Sequence, residues 1–162
     1  MPDVSIRDAT RADVPGLYEM IVALAVYERE PHAVTGTTEM LAEALFGAAP
    51  VAEALIAEVG DDTGGFAIHY RTFSTWECTA GIWLEDLFVR ETHRRAGIGE
   101  ALLRHLAALA VQRGCARLEW AALSWNSPAL DFYAKLGAER LEEWRMHRLD
   151  GAALQRVAGG RK

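Results

Sequence analysis

The chain has 162 residues, enough for one domain with a proper core, and its apolar fraction of 51% and charged fraction of 25% are ordinary for a soluble globular protein. A net charge of -6 argues against a general nucleic-acid or acidic-membrane surface and fits a cationic ligand. No apolar run approaches the roughly 18 residues of a membrane span, and MPDVSIRDATRADV carries charge where a signal peptide needs an apolar core, so a cytoplasmic protein is expected.

No internal repeat interrupts the chain. Val4 to Arg7 reads as a short strand. Asp13 is placed to cap a helix from Val14 to about Glu28, with Pro15 in its first turn and an apolar stripe of Leu17, Met20, Ile21, Leu24 and Ala25. After a break at Pro31, Thr37 or Thr38 starts a second helix through Leu45. Ala54 to Val59 is a strand, DDTGG a turn, and Phe66 to Phe73 and Gly81 to Val89 are the next strands, the latter with few charges and therefore expected to be central. Gly97 to Gln112 has the strongest helical pattern, with Ile98, Leu102, Leu106 and Leu109 in phase, Glu100 facing Arg104, and Gly114 as the stop. Arg117 to Ala121 is a strand. Ser127 caps a helix with Pro128 in its first turn, ending at Gly137, and a last strand is expected from about Arg140 to Leu149. The order β-α-α-β-β-β-α-β-α-β predicts an α/β layout with a mixed sheet.

Four segments carry possible chemistry. RRAGIG, Arg94 to Gly99, lies between an apolar strand and a helix start, where backbone N–H groups and the helix dipole favour an anion such as a pyrophosphate. It lacks the full G-x-G-x-x-G and P-loop patterns, and a bare strand-to-helix turn is the alternative; the guanidinium pair of Arg94 and Arg95 favours a phosphate. LEDLFV spends Glu85 and Asp86 in an apolar strand, either on a cavity or in ion pairs, and period two places them on opposite faces. In WNSPALDFYAKLGA, Asn126 either caps the helix or reaches a ligand, and Tyr133 is either a core-rim residue or a proton donor. In EEWRMHRLD, Trp144 is either core or a cation–π partner, and Tyr27 and Glu28 are either surface residues or part of a cation wall.

Other chemistries fall away. The five histidines show no H-x-x-x-H spacing and the two cysteines, Cys78 and Cys115, no C-x-x-C spacing, so no metal site is expected. Those cysteines read as reduced thiols rather than a disulfide framework, and the serines lack a G-x-S-x-G elbow.

With these residues in view, the chain resembles the GNAT superfamily of acetyl-CoA-dependent N-acetyltransferases. RRAGIG matches its R/Q-x-x-G-x-G/A signature and WNSPALDFYAKLGA its asparagine-to-tyrosine segment. VYE at Val26 to Glu28, LEDLFV, HRRAGIG, WNSPALDFY and EWR together are similar to the diamine (spermidine/spermine) acetyltransferases and their thialysine-acetylating relatives. The resemblance implies a GNAT fold, a mixed and mostly antiparallel central sheet flanked by helices, in one domain over 1–150 with a tail at 151–162. It implies that Arg94, Arg95, Ala96, Gly97, Ile98 and Gly99 hold the pyrophosphate of acetyl-CoA through their backbone amides. Leu87, Phe88 and Val89 would pair with the pantetheine arm, and Asn126 would contact the cofactor. Tyr133 matches the general acid, in contact with the departing thiolate, and Glu85 the residue that accepts the amine proton. Tyr27, Glu28, Asp86 and Trp144, with Glu85, match positions lining the acceptor site.

The implied reaction is direct attack of a primary amine on the acetyl thioester in a ternary complex, within a homodimer. Arg95 and Ala96 depart from relatives that often carry glycine and an aromatic there, and GDDTGG is shorter than in the vertebrate diamine enzymes. Another amine acceptor (an amino acid, an aminoglycoside or a protein amine) and a silent acyl-CoA-binding sensor are the competing functions.

Overall fold

The structure is a computed structural model and describes residues 3–160. The chain forms two compact units, Met1–Ala121 and Ala122–Lys162. The first holds a five-stranded sheet in the order β1-β2-β3-β4-β5. Strands β1 (Val4–Asp8), β2 (Glu53–Val59), β3 (Asp62–Ser74) and β4 (Thr79–Val89) are successive antiparallel neighbours. Helix α3 (Ile98–Gln112) then carries the chain to β5 (Leu118–Trp120), which pairs parallel to β4, because a parallel neighbour needs a crossover.

Helices α1 (Val14–Tyr27) and α2 (Thr38–Phe46) cover one face of the sheet. Leu17, Met20 and Leu24 of α1 and Leu45 of α2 pack on Ile56, Phe66, Ile68 and Phe88. Helix α3 buries Ile98, Leu102, Leu103, Leu106 and Ala110 on the other. Strand β3 is therefore covered on both sides, which explains why Gly64 to His69 is buried without alternation. Thr37 caps α2 as expected, accepting from Met40 N at 3.3 Å, and Glu100 pairs with Arg104 on the open face of α3. Among the described residues no helix is long and apolar enough to cross a membrane.

Three expectations are corrected here. Asp13 stands at the start of α1 but its side chain does not cap it; the carboxylate accepts two bonds from Arg7, each 2.8 Å, and one from Thr10 N at 2.7 Å. A bidentate guanidinium is the stronger donor, and it holds the Asp13 carboxyl well below the usual range. DDTGG is not all turn: the chain reverses at Gly60 and Asp61, and Asp62 onward is already β3. Gly64 and Gly65 lie inside the strand because a Cβ on Gly65 would strike the Phe88 carbonyl and one on Gly64 would lie 2.8 Å from Ile98 Cδ1. The strand predicted to be central, β4, is interior, but β3 holds the middle position.

The second unit carries α4 (Ser127–Lys135) and α5 (Gly151–Ala158), the latter inside the segment expected as a tail. Asn126, not Ser127, occupies the cap position of α4; its carbonyl accepts from Leu130 N at 3.0 Å, and Pro128 sits in the first turn. The strand expected over Arg140 to Leu149 does not form. Leu141, Trp144, Met146 and Leu149 do not alternate, so the segment has no apolar face of period two, and all of it is exposed.

Candidate active site

The chemistry of the sheet is concentrated at an irregularity in β4. Ile68 of β3 opposes Asp86 and His69 opposes Leu84, which leaves Glu85 as an extra residue without a partner on β3. This is a β-bulge, and it breaks the alternation that period two predicts. Trp83, Glu85, Asp86 and Phe88 consequently share the α1 face, while Leu87 and Val89 turn to α3. The expectation that Glu85 and Asp86 lie on opposite faces is therefore wrong, and the inserted residue is the reason.

The two carboxylates differ in their surroundings. Glu85 is exposed and accepts a hydrogen bond from the Trp83 indole Nε1 at 2.9 Å. The Tyr70 phenol, opposite Trp83 in the ladder, is raised by burial and by the Glu85 charge beside it. Asp86 is half-buried, and burial first, then the negative charges of Glu85 and Glu28, push its carboxyl up to about 6. Glu28, just past the end of α1, is itself raised by burial. Three carboxylates thus lie close enough for the charges of Glu85 and Glu28 to act on Asp86, which is unfavourable unless a cation joins them.

Past Leu84 the β5 side of β4 has no strand neighbour among the described residues, because the parallel ladder covers only Ile82 to Leu84. The edge from Glu85 to Val89 leads directly to the loop before α3. Arg95 and Gly97 both adopt left-handed backbone, at φ 68° and 79°. The first bond of α3 runs from Ala101 N to the Gly97 carbonyl, so the helix leaves the N–H groups of Ile98, Gly99 and Glu100 without an internal acceptor. A Cβ on Gly97 would meet nothing within 4 Å, and one on Gly99 would come no closer than 3.8 Å to Leu87 Cδ2. The first-turn N–H groups of α3, at a helix start continuous with an unpaired strand edge, fit a diphosphate followed by an extended amide-bearing arm. Ile98 is seated against Gly64 and Gly65, and that contact fixes where the helix begins.

The end of α1 borders this loop. Its last turn closes with Glu30 N bonding the Ala25 carbonyl at 2.8 Å and with Arg29 in left-handed conformation at φ 67°, where glycine is the usual residue. Tyr27, ahead of it, lies under the Arg94 guanidinium, whose carbon is 5.2 Å from the ring centroid. An open cleft of about 430 Å³ is lined by both residues with Ala23, Val26, Phe88 and Arg90 among others.

Glu28, Glu85, Asp86, Tyr27 and the Arg94 to Gly99 loop are thus gathered on the first unit. Asn126, Tyr133 and Trp144 belong to the second. There the Tyr133 ring is tilted by 51° against that of Phe132, with centroids 5.4 Å apart, and Trp144 is 69% exposed. Sequence reasoning overlooked Tyr70 and Trp83 beside Glu85. Their signal is the cross-strand pairing, which depends on a register the bulge shifts.

Residues 18–138 match the acetyltransferase (GNAT) family. The chain is 35% identical to the thialysine N-epsilon-acetyltransferase of Bos taurus, over 98% of this chain and 99% of that one. It is 30% identical to an L-ornithine N5-acetyltransferase of Arabidopsis thaliana, over 94% and 86%. Among solved structures, an integron cassette protein from the mobile metagenome of V. cholerae superposes with a TM-score of 0.81 at 28% identity, covering 97% and 98% of the two chains. The chain belongs to the acetyltransferase (GNAT) family and is an N-acetyltransferase.

Proposed function

We propose that the protein moves the acetyl group of acetyl-CoA to a primary amine of a small cationic acceptor, a diamine, a polyamine or a thialysine-like diamino acid, by direct attack in a ternary complex. The observation that carries this reading is the β4 bulge, which turns Glu85 and Asp86 to the same face as Glu28. The names of the bovine and Arabidopsis relatives, whose acceptors carry a terminal amine, agree with it.

The roles proposed for the residues are those the resemblance implies, and the surroundings of the first-unit residues suit them. The N–H groups from Arg94 to Gly99 hold the diphosphate, and the edge formed by Leu87, Phe88 and Val89 receives the pantetheine amides. Acetyl-CoA supplies an activated thioester. An alkylammonium, with a pKa near 10.4, is almost wholly protonated at neutral pH, so it must lose a proton before it can attack. Glu85 is exposed and takes that proton through water, oriented by the Trp83 indole. Asp86 and Glu28 hold the acceptor's second positive charge. The resemblance gives Asn126 contact with the cofactor, Tyr133 protonation of the departing thiolate, whose thiol pKa is about 8.5, and Trp144 a cation–π role. The same resemblance leads to a homodimer, which sizing chromatography tests, and the two free cysteines fit a cytoplasmic protein.

The direct test is thiol release from acetyl-CoA with spermidine, putrescine, thialysine and ornithine as acceptors. Release with at least one of them, suppressed by Glu85→Gln, is the expected result. Binding of acetyl-CoA without release for any amine would instead indicate a sensor.

A further inference from the structure

The bulge in β4 leaves Glu85 without a partner on β3. The residue is exposed, and a glutamate free to rotate spreads its carboxylate over many positions. A group that takes a proton through one water must hold one position. The Trp83 indole supplies part of that restraint, with Nε1 donating to Glu85 Oε2 at 2.9 Å. A single bond still lets the carboxylate pivot. Tyr70 of β3 stands directly across from Trp83 and so shares its face, diagonal to Glu85 and within a tyrosine's reach of it. Tyr70 is half-buried, and its phenol is raised by burial first, then by the Glu85 charge and by a hydrogen bond to that carboxylate. No such donor is found at Asp86 among the described residues, where burial and the charges of Glu85 and Glu28 act instead. Of two adjacent carboxylates, the exposed one receives the restraint.

We infer that Tyr70 is a positioning residue for the proton acceptor: its phenol, reaching across from β3, and the Trp83 indole together hold the Glu85 carboxylate in one orientation. The two donors come from neighbouring strands, and the shifted register puts both on the side to which the bulge turns Glu85. Tyr70 acts through Glu85, so the inference rests on reading Glu85 as the group that takes the amine proton. A carboxylate attracts an ammonium group from any rotamer, whereas proton transfer depends on direction. Loss of the phenol therefore slows turnover without loosening the amine.

Steady-state kinetics of the intact protein with acetyl-CoA and spermidine, putrescine, thialysine or ornithine test it. Tyr70→Phe keeps the ring and removes the donor. It is expected to lower kcat about tenfold, the low end for a hydrogen bond to a charged group, with the KM of the amine and of acetyl-CoA held within about twofold. In a Glu85→Ala background Tyr70→Phe should add nothing, since the carboxylate it holds is gone. Parent turnover in Tyr70→Phe, a rise in either KM with kcat held, or an undiminished loss in the Glu85→Ala background would each overturn the assignment, the last because a purely structural role persists without Glu85. Full turnover by Glu85→Ala alone would remove the proton acceptor and the inference with it, whereas a slow Glu85→Ala beside a Tyr70→Phe at parent speed would remove the inference alone. Tyrosinate absorbance reads the contact without any amine: the difference between parent and Tyr70→Phe isolates the Tyr70 titration, which Glu85→Ala should move to lower pH. A titration that stays in place would also overturn the assignment.

Discussion

The two units of the chain are built on different terms. Met1–Ala121 contains every buried residue of the described chain, with Phe66, Leu17, Met20, Leu102 and Leu106 all fully enclosed. In the second unit none of the described residues 122–160 is buried. In the first, the position of a functional group is set by packing: Ile98 in its glycine notch fixes the loop, and the bulge fixes Glu85 and Asp86. In the second, Asn126 caps and Tyr133 sits on a helix of nine residues whose first turn is set by Pro128. A change in the first unit is therefore felt in stability as well as chemistry, and one in the second chiefly in chemistry.

Substitutions can break this contrast. The largest effect is expected for Tyr133→Phe, which should lower turnover by about 10²–10⁴ while moving unfolding free energy by no more than about 0.5 kcal/mol. Unchanged turnover in a steady-state assay would remove Tyr133 from the chemistry. Phe66→Ala, in the middle of the first core, should cost about 3–5 kcal/mol in a urea titration. A loss under about 1 kcal/mol would show that the core is not the rigid support described.

Asp86 sharpens the comparison by joining charge to stability. Its carboxyl is raised to about 6 by burial, Glu85 and Glu28, above its unfolded value. The folded state then holds more protons between about pH 4 and 6, so this group's contribution to stability is full below that window and lost as pH rises through it. Asp86→Asn should flatten the fall in stability from pH 5 to 7 by on the order of 1 kcal/mol, seen in denaturant titrations at both values. The acceptor KM of the parent should fall over the same window, because a cation needs the ionised carboxylate, and the variant should lose that dependence. The smallest effect is expected at Arg95, whose φ of 68° strains any side chain. Arg95→Gly should raise stability by about 1 kcal/mol and weaken acetyl-CoA binding modestly, opposite signs from one substitution.

Legibility in the sequence follows the same division. The elements of the first unit were readable because their apolar periods match their burial: Leu17, Met20 and Leu24 in α1, and Ile98, Leu102 and Leu106 in α3. The loop Arg94 to Gly99 was readable from two glycines and two arginines, one glycine required by its left-handed backbone. The shared face of Glu85 and Asp86 was not, since a bulge shifts register without altering composition. Gly64 and Gly65 resemble turn residues until the approach of the Phe88 carbonyl is known. Asp13 had the identity and position of a helix cap, but Arg7 of β1 took its carboxylate. In the second unit, the strand expected from about Arg140 to Leu149 does not form, since the segment has no apolar face of period two to bury.

The most direct measurement compares kcat/KM for 1,5-diaminopentane and for pentylamine, which differ only in the second ammonium group. If Glu28, Glu85 and Asp86 form one cation-holding face, the diamine should be favoured by about 10–10², the worth of one charge-assisted contact. The preference should shrink in Asp86→Asn. Equal rates for the two amines, or a preference for the singly charged one, would contradict the account.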